Sequence, residues 1–187
     1  MLTTAERATI VPPTPPSLPR LLLAPTRAGR AVLDGGWWPR SWDPVAELPG
    51  LVLALADRYG QIRQVMLNSA AWDSRFRRLA AGTGVVRMGW FATMDRALLI
   101  AITDRDDQLD LLVVPPQTDA AAATQAMTTA ADPANVMRAP EILAVAAATR
   151  ATTAGNGPDS NAVWDNEGGH LVEAHRPVNG QPIAISR

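Results

Sequence analysis

The chain has 187 residues, 47% hydrophobic and 19% charged, with a formal net charge of −1. That length suits one well-buried domain and leaves little for a second, and the apolar fraction excludes wholesale disorder. There is no cysteine and every one of the 17 basic residues is arginine. Disulfides, thiolate metal sites, a thiol nucleophile, a Schiff-base lysine and the lysine of a phosphate-binding loop are thereby excluded together.

No apolar run approaches the roughly 18 residues of a membrane span. The N-terminal MLTTAERATIV has neither the basic n-region nor the apolar h-region of a signal peptide. A cytoplasmic protein without membrane contact is expected. The charge is uneven along the chain: residues 58–103 carry seven arginines against Asp73 and Asp95, whereas 104–187 carry five against eleven acids. A basic middle invites anionic partners if the fold keeps those arginines on one face.

In chain order, VPPTPPSLP at 11–19 favours an extended polyproline conformation, so 1–19 is expected to be a flexible Pro-rich segment. One domain should follow over 20–150, and a Gly/Asn-rich tail, largely flexible, over 151–187. Within the domain, RLLLA at 20–24 predicts a strand, and residues 31–34 predict a second that leads into Trp37 and Trp38. Val45, Leu48, Val52, Leu55 and Tyr59 recur at helical spacing. Pro49-Gly50 interrupts that stripe, so the helix should kink there or begin near Leu48. Residues 62–67 predict a strand. A hairpin is expected from 74–79 and 85–92 around AGTG, and another from 98–103 and 109–114 around DRDDQ. LLIAI and LLVV are apolar at successive positions, which predicts strands covered on both faces. Helices are expected at 120–131, capped by Thr118 or Asp119, and at 140–150, with Pro140 at the first position. The pattern predicts an α+β fold: a mainly antiparallel sheet of about 6–7 strands with two to three helices packed on it.

Most site-like strings fail on spacing. In HLVEAH, His170 and His175 lie five apart rather than one helical turn, so they do not share a metal-facing side. DRDDQLD begins like a calcium loop but has Leu109 and Pro115 where Gly and Glu are needed. No metal and no cofactor are expected. AGTG lacks dinucleotide-site spacing, and no G-x-S-x-G elbow is present.

GGWWPRSWD at 35–43 is the densest candidate. Asp43-Pro44 is a helix start, with Glu47 near its positive end. Trp37 and Trp38 should face opposite sides of a strand, Trp42 could pack back as a staple, and Arg40 could stack on an indole. A ligand or partner surface here would use Trp37, Trp38, Arg40, Trp42 and Asp43. A second candidate combines aromatic residues, including Trp72, Trp90 and Phe91, with Arg75, Arg77, Arg78 and Arg87 as anion contacts. Alternation over 74–79 would put Arg75 and Arg77 on one face and Arg78 on the other.

LDGGWWPRSWD, AELPGLV, NSAAWD and LDLLVVPPQTD together resemble an uncharacterised family common in actinobacteria and marked by a DG-x-WWPRS signature. The resemblance spans about 18–145. It implies an intracellular actinobacterial origin and carries over no catalytic residue, ligand or cofactor; the family often has a charged residue at the position of Trp42. The leading expectation is a non-catalytic module whose hinge surface binds an unknown protein or small-molecule partner. Single-stranded nucleic acid binding through the Arg and aromatic residues comes second. A metal-independent enzyme using Asp34, Asp43 or Asp73 comes third. The oligomeric state is left open.

Overall fold

A computed structural model describes residues 8–26, 29 and 31–154. Its strands are β1 (Thr9–Ile10), β2 (Arg20–Leu23), β3 (Gly35–Trp38), β4 (Ile62–Asn68), β5 (Arg78–Ala81), β6 (Gly84–Phe91), β7 (Leu98–Thr103) and β8 (Gln108–Val113). The helices are α1 (Pro44–Tyr59), α2 (Ala120–Ala130) and α3 (Ala139–Ala154). The fold is α+β. Its single sheet has the order β1-β5-β6-β4-β7-β8-β3-β2.

The sheet is mixed, with eight strands rather than six or seven. β1–β5, β4–β6 and β3–β8 pair in parallel, and the other four pairings are antiparallel. Consecutive strands tend to pair as hairpins, but here β4 lies between β6 and β7, a crossover that local pattern does not reveal. As a consequence β3, β4, β6 and β8 all point the same way. Their exits, residues 39–43, 69–73, 92–97 and 114–118, gather at one edge of the sheet.

The sheet buries its two faces differently. On one side α1 lays Leu48, Leu51, Val52 and Leu55 over Trp37, Val65, Leu67, Leu79, Leu99, Leu109 and Leu111. Each such leucine stabilises the fold by about 1.5–3 kcal/mol. On the other side α2 and α3 cover Leu33, Leu112 and Val114 with Ala122, Ala123, Ala126, Ala130, Ile142 and Ala146. LLVV in β8 is therefore buried on both faces, as its continuous apolar run predicts. β7 departs from that expectation: Ile100 and Ile102 are half-buried, because the alanine-rich helix pair sits over β3 and β8 and belongs to a cluster that excludes them.

Two further expectations are corrected. The helix does not begin near Leu48 but runs from Pro44 to Tyr59, with Pro49 inside it. Pro49, the sixth residue of the helix, cannot donate to the Val45 carbonyl, and Gly50 next to it receives the backbone of the Pro-rich segment: a Cβ at Gly50 would collide with the Ser17 carbonyl oxygen. Residues 11–19 thus run along α1 between β1 and β2, which lie at opposite ends of the sheet. Seven inter-strand steps span about 34 Å in a flat sheet, close to the full reach of the ten residues from Ile10 to Arg20, about 33–36 Å. A proline-rich composition suits a segment that must stay extended. The other correction concerns 74–79, where the strand begins only at Arg78. Phe76 instead turns into the first core cluster and packs edge-on against Trp90, ring centroids 5.9 Å apart.

Candidate functional site

The strand exits bring all five described tryptophans to one end of the molecule. Trp37 is fully buried and stacks on Trp72, centroids 5.7 Å apart at 13°. Trp42 meets the same Trp72 edge-on at 5.3 Å and 89°. The Asp73 amide donates to the Trp42 carbonyl at 3.1 Å, so the β3 and β4 exits are fastened side by side. Trp42 therefore packs on Trp72 and against the first core cluster. Trp38, on the opposite face of β3 as alternation requires, lies under a guanidinium, but the arginine is Arg20. Its Cζ is 3.5 Å from the ring centroid, and it donates to the Trp38 carbonyl at 2.9 Å and the Pro39 carbonyl at 2.6 Å. Burial, with the nearby Arg40, pulls the Arg20 pKa below its ordinary value, while Glu47 pulls the other way. Arg40 itself donates to the Leu18 carbonyl at 2.9 Å and anchors the Pro-rich segment.

Asp43 caps α1, accepting from the Val45 amide at 2.9 Å. Ser41 donates to the buried Glu47 at 3.0 Å. Asp34 sits at the opposite sheet edge and accepts from the Asp110 amide at 2.9 Å, so Asp34, Asp43 and Asp73 do not converge. The DRDDQLD string forms the β7–β8 turn: Thr103 Oγ1 accepts from the Arg105 and Asp107 amides, and Arg63 pairs with Asp106. HLVEAH lies outside the described residues. Among the described residues no group of three or more His, Asp or Glu could hold a metal ion, and no helix is long and apolar enough to cross a membrane.

Beside Trp42 opens a cleft of about 540 Å³, walled by Ala70, Ala71, Ala97, Val113, Pro115, Pro140 and Leu143, with Asp95 and Arg96 as its charged groups. Asn68, buried at the end of β4, shapes this wall: its amide donates to the Met94 carbonyl and its oxygen accepts from the Ala70 amide. Arg96 donates to the Ala70 carbonyl at 3.0 Å and Asp95 accepts from the Ala97 amide at 2.7 Å. Of the hinge residues, only Trp42 reaches the cleft. Asp95, Arg96, Pro140 and Leu143 were invisible to sequence reasoning, because their meeting depends on which strands run parallel.

A second cleft of about 580 Å³ at the same end is lined by Ser69, Arg75, Phe76, Arg77, Met88, Trp90, Phe91 and Ala92. Arg78 and Arg87 lie outside it. They sit directly opposite each other on β5 and β6, in line with Gln64 of β4, on the face that carries Phe91.

A mixed-sheet α+β domain does not by itself define a function, which has to be argued from its sites. The model of one family of unknown function, DUF5994, matches residues 20–130, more than half the chain, and the protein belongs to that family. No curated protein and no solved structure matches it.

Proposed function

We propose that the protein is a non-catalytic binding module, and that the cleft beside Trp42 holds a small molecule with an apolar, ring-sized body and a charged end. The observation that carries this reading is the lining: apolar walls around one indole, and a single acid–guanidinium pair, Asp95 and Arg96, at adjacent positions. A volume of about 540 Å³ falls in the range of small-ligand sites. The indole offers a stacking surface, and Arg96, which gives one of its five donors to the Ala70 carbonyl, keeps capacity for a carboxylate.

The test is calorimetric titration with 2-naphthoate, a planar aromatic acid of that size. One site per chain is expected. Leu143→Arg, which fills the cleft from α3, should weaken binding at least about tenfold, in line with loss of a desolvated pocket contact. Equal affinity in Leu143→Arg and the parent chain would place the probe elsewhere and remove the support for this site.

A further inference from the structure

The geometry points to a second, independent site: a track for single-stranded nucleic acid that starts in the Arg75–Arg77 cleft and continues over Phe91 towards Arg87 and Arg78. Three observations carry it. The first is the posture of Phe91. A Cβ at Gly89 would stand 2.9 Å from Phe91 Cε2 and 3.1 Å from Met66 Cγ. The ring therefore folds back over the glycine, and 46% of Phe91 stays exposed. An aromatic ring supported from beneath and open above is a stacking platform, and base stacking on such a ring is sequence-tolerant.

The second observation is a set of charges the fold does not explain. Arg75, Arg77, Arg78 and Arg87 are all exposed, and their side chains have no hydrogen-bond or ion-pair partner among the described residues. Arg78 and Arg87 are direct cross-strand neighbours, a like-charge arrangement that weakens a sheet unless an anion bridges it. No acidic residue lines the cleft that holds Arg75 and Arg77, and between residues 58 and 94 Asp73 is the only acid in the sequence.

The third is continuity. Arg87, Gly89 and Phe91 share one face of β6, so the platform lies about 13 Å along the strand from Arg87. At its other side Phe91 lines the cleft that holds Arg75, Arg77 and Trp90. Cations thus stand on two sides of the ring, Arg87 and Arg78 on its own sheet face and Arg75 and Arg77 in the adjoining cleft, and the face lacks the helical cover that α2 and α3 give the β3–β8 half. A flexible strand can place a base on Phe91 and its phosphates on either pair of arginines. A rigid duplex, its bases already stacked, cannot use the platform.

The test is fluorescence anisotropy with a labelled oligothymidylate of about ten nucleotides, against the full chain. Binding is expected at low salt, falling steeply between about 50 and 200 mM, with a duplex of the same length bound at least roughly tenfold more weakly. Phe91→Ala should weaken binding roughly 5- to 150-fold while Phe91→Trp retains it. The double variant Arg75→Ala/Arg77→Ala should lower the log–log salt slope by about 0.7 per arginine, and it carries the test if Phe91→Ala fails to fold. Arg105→Ala, in the distant β7–β8 turn, and Leu143→Arg should bind as the parent chain does, which separates this site from the Trp42 cleft. No binding at low salt, equal affinity for duplex, a loss in Arg105→Ala as large as in the cleft variants, or a mononucleotide that matches the oligomer would each overturn the track.

Discussion

Trp37 carries an indole N–H that is buried without a hydrogen-bond partner among the described residues, and that sets two opposed terms on one side chain. The ring is worth a great deal: it fills the centre of the first core cluster and stacks on Trp72. The N–H costs, because a buried unmade donor forfeits about 1–3 kcal/mol. Trp37→Ala should therefore destabilise the protein by about 3–5 kcal/mol, whereas Trp37→Phe should cost clearly less, since it removes the orphaned donor with part of the ring. Urea denaturation of both variants checks the difference; equal losses would mean the N–H is satisfied in solution. That the two adjacent tryptophans would part to opposite faces was legible from strand alternation alone. That Trp72, far along the chain, would receive both Trp37 and Trp42 was not, because aromatic stacking across a sheet edge depends on strand order. Arg20 over Trp38 was equally hidden: an arginine near the tryptophans in sequence, Arg40, was the natural candidate, and the β2–β3 pairing supplied a different one.

Among the elements, α1 shows how a local rule can be outweighed. Pro49-Gly50 reads as a kink or as a helix start near Leu48, and both residues carry a propensity penalty. The helix nevertheless starts at Pro44 and runs through both residues, because Leu48, Leu51 and Leu55 on the buried face outweigh that penalty. The same Gly50 has a positive use, since the Pro-rich segment lies against it through the Ser17 carbonyl. Gly50→Ala would gain up to about 1 kcal/mol of helix propensity on an exposed helix; here it should instead destabilise by about 1–3 kcal/mol, the usual cost of overpacking. A denaturation midpoint that rises in Gly50→Ala would show that residues 11–19 do not hold this position. β3 and α2 repeat the device: a Cβ at Gly36 would stand 2.8 Å from Met127 Cα, so α2 sits low on the sheet, and its alanines fill the shallow space left. Gly36→Ala should lift α2 and cost a similar about 1–3 kcal/mol, read by the same melts. The alanine run announced a helix able to approach closely, but its landing place on β3 was beyond local pattern.

At the scale of the whole molecule, the family match and the folded body do not have the same limits. The match covers 20–130, while pairing and packing extend from β1 at Thr9–Ile10 to α3 at Ala139–Ala154. Each outlying part closes something. β1 pairs with β5 and shields part of an edge that would otherwise present open backbone groups. α3 lays Ile142 and Ala146 on the second core cluster, and its Pro140 and Leu143 wall the Trp42 cleft. A chain cut to 20–130 loses these together. Burial of Ile142 alone is worth about 1.5–3 kcal/mol, so the cut chain should melt more than about 5 °C below a chain cut to 8–154. It should also lose 2-naphthoate binding, because Leu143 and Pro140 are gone, while a chain of 8–154 keeps it. Circular dichroism melts of the two chains decide the point. If 20–130 melts with 8–154, the helical cover contributes nothing to stability and α3 is an appendage. If it melts lower but still binds naphthoate, α3 is structural and the ligand site lies elsewhere on the sheet edge.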